Sequence, residues 1–190
     1  MSLDHAILGF LNYKSMSGYD LKSVFDMSVN HFWPADQSQI YRTLSRLTEG
    51  GMTTIEVVEQ NDRPDRKVYH ITDQGREELR RWLASPLQTK DQRIAELVQV
   101  FFAGQLPDGD ILEMFQRMRD RCSHALDKLR SIPNRCDESI SDAKQSQDAF
   151  FWMLTLDYGI TMTEACLAWT QEVIAKIERG EHKGNESSGS

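Results

Sequence analysis

The sequence has no long hydrophobic run: no stretch approaches the roughly 18 consecutive apolar residues with which a helix crosses a bilayer. Its first ten residues, MSLDHAILGF, have neither the basic start nor the long apolar stretch of a signal peptide. The composition, 39% hydrophobic and 27% charged, is that of a chain that folds in water. We therefore expect a cytoplasmic protein that does not act at a membrane.

Cysteine is scarce, and its placement argues against a structural role. Cys122, Cys136 and Cys166 are odd in number, widely spaced and without a CxxC pair, which disfavours a disulfide framework and a zinc site. We expect them to be reduced, and a redox role is the less favoured alternative. No metal-ligand spacing links the five histidines, so we expect no metal and no cofactor. The histidines are His5, His31, His70, His124 and His182.

The sequence also lacks the motifs by which enzymes are recognised. It has no glycine-rich phosphate loop, no GxSxG, no HExxH and no cysteine and histidine close in pattern. We therefore expect that the protein is not an enzyme.

Positive charge is in deficit, which at first argues against nucleic-acid binding. The formal net charge is −7, and an acidic protein repels phosphate at long range. The deficit is uneven, however: residues 1–90 carry a formal charge of −1 and residues 91–190 a charge of −6. The acidity belongs to the second half, so the first half remains a candidate for contact with DNA.

Three helices are predicted in the first fifty residues. The apolar spacing over residues 2–13 predicts the first, with Ser2 as its N-cap. Ser17 with Asp20, and Asp36 with Gln39, have the spacing of capping boxes that begin the second and third helices. Phe32, Trp33 and Pro34 end the second helix, and Gly50 and Gly51 end the third.

A hairpin and a fourth helix are predicted next. Residues 52–59 and 67–71 are rich in β-branched side chains and flank a polar segment that contains proline. Thr72 caps a helix that ends near Pro86. The order helix, helix, helix, strand, strand, helix is that of a winged helix-turn-helix, which we assign to residues 1–88.

The second half is predicted to be entirely helical. A short apolar helix covers residues 94–102, a helix with heptad spacing runs from Ile111 to a stop at Pro133, and a last helix spans about residues 147–179. Two narrow apolar seams need a partner, so residues 89–180 are expected to join two copies of the chain, with residues 181–190 as a disordered tail. The side chains expected to form the dimer are Phe101, Ile111, Phe115, Met118, Cys122, Leu129, Phe151, Leu154, Tyr158 and Trp169.

The third helix has a polar face that is suited to DNA. That face carries two arginines and no acidic residue before Glu49, and arginine can bind guanine as glutamine can bind adenine in the major groove. The wing would add basic groups beside it. Taken alone, such a face is more often a solvated surface. The predicted contacts are Gln37, Ser38, Gln39, Tyr41, Arg42, Ser45 and Arg46 on the helix, and Arg63, Arg66 and Lys67 on the wing.

Several segments in order resemble the PadR family of winged-helix regulators. They are LDHAILGFLNYKSMSGYDLKSVFD, FWPADQSQIYRTLSRLTEGGM and RKVYHITDQGREELRRWL, which together cover residues 3 to about 83. The second half is similar to the helical region of the virulence-activator-like branch of that family, with FFAGQL at residues 101–106 as the clearest match.

The resemblance implies a homodimer that binds a roughly palindromic operator on double-stranded DNA and represses transcription. It implies DNA contacts by Tyr19, Ser38, Gln39, Tyr41 and Arg42, and a wing that contains Arg66, Lys67 and Tyr69. The sequence departs from many relatives in having Asp62 and Asp65 at the wing tip.

Two questions stay open at this point. Relatives that bind a small-molecule effector have a cavity near the dimer interface, which makes Trp152 and Trp169 candidates, although packing is the simpler role for both rings. The rival to a DNA-binding function is a winged helix that serves as a protein-interaction module and binds no DNA.

Overall fold

A computed structural model describes residues 2–59, 65–86, 94–135 and 147–183 of the chain. The contacts within the chain divide it into two units, residues 1–89 and 90–190. The fold is mainly helical with one small sheet, so the predicted fold class is confirmed. The expected tail from residue 184 onward and the wing tip at residues 60–64, which includes Arg63, lie outside the described residues.

The described residues of the first unit form four helices and three strands in the predicted order, with one strand added. Two capping boxes begin α2 and α3 as expected, with Ser17 and Asp36 as the N-caps. The Thr72 hydroxyl accepts a hydrogen bond from the Gly75 N–H at the start of α4. The elements are α1 (Ser2–Tyr13), β1 (Met16–Ser17), α2 (Gly18–Met27), α3 (Gln37–Glu49), β2 (Thr53–Val58), β3 (Arg66–Ile71) and α4 (Asp73–Ala84).

The sheet is antiparallel, with strand order β1-β3-β2. The β2–β3 hairpin is in the register that pairs Thr53 with Ile71 and Val58 with Arg66. Strand β1 was not predicted, and it pairs Met16 with Tyr69 on the other edge of β3. This extra strand attaches the segment before α2 to the wing, so the helix-turn-helix and the hairpin form one body.

The core of the first unit lies where α1, α2, α3 and β3 meet. Five aliphatic side chains and one aromatic ring are completely buried at its centre: Ile7, Leu8, Leu21, Phe25, Ile40 and Leu44. Burial of each such side chain contributes about 1.5–3 kcal/mol, so the apolar side of α3 is fixed to the unit. The polar side of α3 therefore faces outward.

In the described residues of the second unit there are a short helix, a 3₁₀ turn and two long helices. The bounds are α5 (Ala95–Phe101), the 3₁₀ turn (Ala103–Gln105), α6 (Asp108–Arg135) and α7 (Gln147–Glu178). The prediction that Pro133 ends α6 is wrong, because the helix continues to Arg135. Helices α6 and α7 pack antiparallel: Phe115 meets Trp169, while Arg130 lies 2.7 Å from Glu164.

Helix α7 uses one side to contact α6 and leaves another apolar side uncovered in the single chain. Leu156, Thr170 and Ile174 are buried, and Ile174 joins a small core with Ile111, Phe115 and Met118 of α6. The second apolar side is exposed and contains most of the stripe that the sequence pointed out: Phe151, Leu154, Tyr158, Met162 and Trp169. Helix α5 likewise buries none of its residues.

Candidate nucleic-acid interface

The candidate surface begins at the N-terminus of α3, which a reciprocal cap holds in place. The Asp36 carboxylate accepts the Gln39 N–H at 2.7 Å, and the Gln39 side-chain oxygen accepts the Asp36 N–H at 2.9 Å. The cap fixes the first turn of the helix, and it also fixes the direction of the Gln39 amide. Gln37 and Ser38 lie beside it and are exposed.

The outward face of α3 is exposed along its length. Gln37, Ser38, Gln39, Tyr41, Arg42, Ser45 and Arg46 all lie on it, as the sequence predicted. The Arg42 Nε donates to the carbonyl of Ser38 one turn earlier, at 3.3 Å. The Arg46 guanidinium forms an ion pair with Asp4 of α1, which the sequence did not predict.

Tyr41 connects α3 to the start of α2. A Cβ built on Gly18 would lie 2.5 Å from Cε1 and 2.7 Å from Cζ of the Tyr41 ring, so only glycine leaves room for this ring. Tyr41 is 40% exposed and Tyr19, the next residue after Gly18, is 73% exposed. The two tyrosines therefore extend the outward face of α3 onto the first turn of α2.

Tyr69 was expected in the wing contact, but the structure places it in the core of the unit, where it is 5% exposed. Burial raises the pKa of its hydroxyl, and the nearby Tyr41 adds to the effect. The buried ring therefore has little surface to offer to DNA.

The wing is held to α2 by an ion pair that sequence reasoning missed. The Arg66 guanidinium donates to the Asp20 carboxylate, 46 residues away in the chain. Burial opposes ionisation of Asp20, but hydrogen bonds from the Ser17 hydroxyl and N–H, together with Arg66, outweigh it and lower its pKa. The sequence identified Asp20 as a capping residue, and no local signal pointed to its second partner.

A second polar connection crosses the sheet. The Ser15 hydroxyl lies 2.7 Å from Nδ1 of His70, and Nε2 of His70 lies 2.9 Å from the Glu56 carboxylate. These contacts join β3 to β2 and to the segment before β1. Lys67 is exposed on the same hairpin. Within the described residues, Lys67 and Arg42 form no ion pair.

The residues predicted for dimerisation differ in how far they are buried within the single chain. Ile111, Phe115, Met118 and Leu129 are buried within the chain, 7% exposed or less, so they form the interior of the second unit. Cys122 is half-buried opposite Cys166 of α7. The others are exposed in the single chain: Phe101, Phe151, Leu154, Tyr158 and Trp169.

The two tryptophans considered for effector binding do not share a site within one chain. They are separated by about 25 Å along α7, because each residue advances a helix by about 1.5 Å. Trp169 packs its ring against Phe115 at 5.9 Å between centroids. A cavity of about 640 Å³ opens instead between α5 and α6, and its lining includes Phe102, Met114 and Arg117.

Two families match the chain, one on each unit. The Transcriptional regulator PadR-like family matches residues 7–81, and the family described as Virulence activator alpha C-term matches residues 92–178. A probable transcriptional regulator of Mycobacterium tuberculosis is 35% identical over 94% of this chain and 98% of its own length. The chain belongs to the PadR family. It is accordingly a transcriptional regulator and not an enzyme.

Solved structures agree with the assignment to the PadR family. PadR of Bacillus subtilis in complex with operator DNA has a TM-score of 0.81 and 26% identity, and the match covers 93% of this chain and 99% of that one. The same protein, a negative transcriptional regulator, was also crystallised with p-coumaric acid, with a TM-score of 0.75 over 93% of this chain and 95% of that one. The mainly helical fold with a winged N-terminal unit is therefore shared with a protein that binds DNA.

The described residues contain neither a membrane-spanning helix nor a cluster of metal-ligand side chains. No helix there combines the length and the hydrophobicity that a membrane span requires. Nor do three or more histidine, cysteine, aspartate or glutamate side chains meet there as they would around a metal ion.

Proposed function

We propose that this PadR-family regulator is a repressor that binds a roughly palindromic operator as a homodimer. The observation that carries the proposal is the exposed, acid-free face of α3 from Gln37 to Arg46, continued by Tyr19 and flanked by the wing. A helix in the major groove needs such a face, whereas a protein-docking surface does not. The repressor role is supported by the 28% identical relative that is named a negative transcriptional regulator.

The charges on this face divide into two classes. Arg42 and Lys67 form no ion pair among the described residues, so each can meet a phosphate or a base edge without breaking an ion pair there. Arg46 and Arg66 are paired with Asp4 and Asp20, and each would exchange a carboxylate for a phosphate on binding. Such an exchange gains less free energy than a new charge contact, because a surface pair is broken to make it. We therefore assign the larger share of binding energy to Arg42.

The exposed side of α7 is the proposed dimer surface. Phe151, Tyr158 and Met162 are each more than half exposed in the single chain, and a cluster of large apolar side chains of this kind is typical of an interface. Ile111, Phe115, Met118 and Leu129 would support that surface from within the unit. Two copies are needed because two half-sites about one DNA turn apart multiply the discrimination that one module provides.

Fluorescence anisotropy on the promoter DNA upstream of the protein's own gene tests the DNA-binding part. We expect nanomolar affinity that falls steeply with salt, because phosphate contacts release counterions. Arg42→Ala should weaken binding by about tenfold or more, since a bidentate arginine contact is worth about 1–3 kcal/mol.

Arg80→Ala is the matched control, because it removes the same charge from an exposed position of the same unit, where Arg80 is paired with Glu77. It should leave the affinity within about twofold. Equal effects of the two substitutions would assign the loss to general charge and would remove α3 from the proposed contact.

Light scattering tests the dimer. Met162→Glu places a charge in the middle of the exposed apolar side of α7 and should convert the dimer to a monomer at micromolar concentration. Gln171→Glu adds a charge at an exposed position elsewhere on α7 and should leave the dimer intact. A wild-type monomer, or a dimer that survives Met162→Glu, would contradict the proposed surface.

A small-molecule effector that relieves repression is the remaining part of the proposal. It is supported by the p-coumaric acid complex of the Bacillus subtilis relative. Titration of p-coumaric acid into the protein–DNA complex should release the DNA if the two proteins share this chemistry. DNA that stays bound at millimolar acid would exclude this compound as the effector.

A further inference from the structure

Two cysteines that are distant in the sequence meet between α6 and α7. The sulfurs of Cys122 and Cys166 are 2.8 Å apart, although the residues are 44 positions apart in the chain. Both side chains are half-buried, so a small oxidant can reach them. We propose that these two thiols form a peroxide-sensitive pair that closes to a reversible disulfide within one chain.

The neighbouring contacts fix the position of both sulfurs. Toward one end of the helix pair, Arg130 forms an ion pair with Glu164 at 2.7 Å, and toward the other Phe115 packs against Trp169. The completely buried Thr170 donates its hydroxyl to the carbonyl of Cys166 at 2.6 Å. The register of α6 against α7 is thus set on both sides of the thiols, and the bond can form with only a small movement.

The surroundings distinguish the two sulfurs. Burial and the contact with Cys166 raise the pKa of the Cys122 thiol to about 11, and the Arg121 guanidinium only partly opposes them. A thiol with a raised pKa is seldom a thiolate, and the thiolate is the nucleophile in cysteine oxidation. We therefore assign Cys122 to the second step, in which it attacks a sulfenic acid on Cys166.

The reaction takes two electrons from the pair and balances with one molecule of hydrogen peroxide. The Cys166 sulfur attacks one peroxide oxygen and the O–O bond breaks. The departing hydroxide takes the proton that Cys166 has lost, so that one water leaves and a sulfenic acid remains on Cys166. The Cys122 sulfur then attacks the Cys166 sulfur, its proton goes to the departing hydroxyl group, and the second water leaves. Two thiols and one peroxide become one disulfide and two waters, and a dithiol reductant reverses the change.

Peptide mapping of the full-length wild-type chain tests the proposal. The reduced protein is treated with hydrogen peroxide, its free thiols are blocked, and the digest is analysed by mass spectrometry without reductant. We expect a Cys122–Cys166 link, seen as a loss of about 2 Da from two hydrogens and reversed by dithiothreitol. The same oxidation in urea is the control, because in the unfolded chain the shorter loop to Cys136 closes more readily.

A native chain that gives no Cys122–Cys166 link, or the same mixture of links as the unfolded chain, would overturn the proposal. The order of the steps has its own test. Cys122→Ser should leave a sulfenic acid on Cys166 that dimedone traps, whereas Cys166→Ser should give none on Cys122 at the same peroxide dose. Trapping at Cys122 instead would show that the assigned order is wrong.

Discussion

The contact between Tyr41 and Gly18 gives the sharpest test of the proposed interface. In Gly18→Ala the new Cβ would lie 2.5 Å from Cε1, 2.7 Å from Cζ and 3.0 Å from the hydroxyl oxygen of Tyr41. Carbon atoms in contact are about 3.5–4.0 Å apart, so the end of the ring must retreat by roughly 1 Å. The substitution therefore moves a predicted DNA contact without changing any group on α3.

Gly18→Ala should change the free energy of unfolding little and should weaken DNA binding clearly. The displaced atoms are at the free end of a side chain, so the cost is that of a strained rotamer, about 0.5–1.5 kcal/mol. Alanine recovers about 0.5–1 kcal/mol over glycine in a helix, which leaves a net change within about 1 kcal/mol. Loss of a hydrogen bond to a charged phosphate costs about 1.5–3 kcal/mol, or roughly tenfold or more in Kd.

Anisotropy on operator DNA and thermal unfolding would be measured on four chains: wild type, Gly18→Ala, Tyr41→Ala and the double variant. We expect both single variants to bind more weakly and the double variant to bind like Tyr41→Ala. Gly9→Ala is the matched control, because a Cβ at this helical glycine of the same unit has nothing within 4 Å.

Two results would refute the reasoning. If Gly18→Ala binds like wild type while Tyr41→Ala binds weakly, the ring does not depend on the glycine for its position. If Gly18→Ala weakens DNA binding by the same factor in the Tyr41→Ala background as in wild type, the loss of affinity is caused by a group other than Tyr41.

Two further predictions concern stability. Gly75→Ala should destabilise the protein by about 1–3 kcal/mol and lower its Tm by several degrees. The reason is that the new Cβ would collide with the backbone carbonyl of Met52 and with the side chain of Ile71. An unchanged Tm would contradict this packing. Asp20 has a lowered pKa, so its carboxylate stabilises the fold above the ordinary value of 3.8, and this contribution is lost as the pH falls through the lowered pKa. Asp20→Asn should therefore lower the Tm at neutral pH, with a difference from wild type that closes as the pH falls through the lowered pKa of Asp20. A difference in Tm that does not depend on pH would show that the charge of Asp20 is not responsible.

Local signals predicted most of the first unit. The capping boxes of Ser17 with Asp20 and of Asp36 with Gln39 lie within one helical turn, so the sequence alone contains both partners. Strand β1 was missed because it is two residues long and its pairing partner Tyr69 is more than fifty residues away. A strand this short has no periodicity of its own to detect.

Contacts between distant elements limited the prediction of the site. The polar face of α3 was predicted from its helical spacing, but nothing in the sequence indicates that Arg46 pairs with Asp4 or Arg66 with Asp20. Tyr69 lies between the partly buried Val68 and His70 in β3, and its inward direction depends on the register of the sheet. Charge and burial at these positions are set by tertiary packing.

The apolar pattern of the second unit predicted two seams but did not assign each seam to a partner. Helix α7 has apolar side chains around more than half of its circumference, and spacing alone does not tell which of them face α6. The structure assigns Leu156 and Ile174 to α6 and leaves Tyr158 and Met162 outside. The buried residues of α6 show the same limit, because a heptad seam satisfied within one chain looks like a seam between chains.

The reciprocal cap at the start of α3 restricts how this protein can read a base sequence. A glutamine that binds adenine in the major groove forms two hydrogen bonds: its amide oxygen accepts one and its amide nitrogen donates the other. In Gln39 the oxygen accepts the N–H of Asp36, so binding adenine in this way would cost the helix one of the two hydrogen bonds of its cap. We therefore expect the neighbouring Gln37, rather than Gln39, to decide any preference of the operator for adenine.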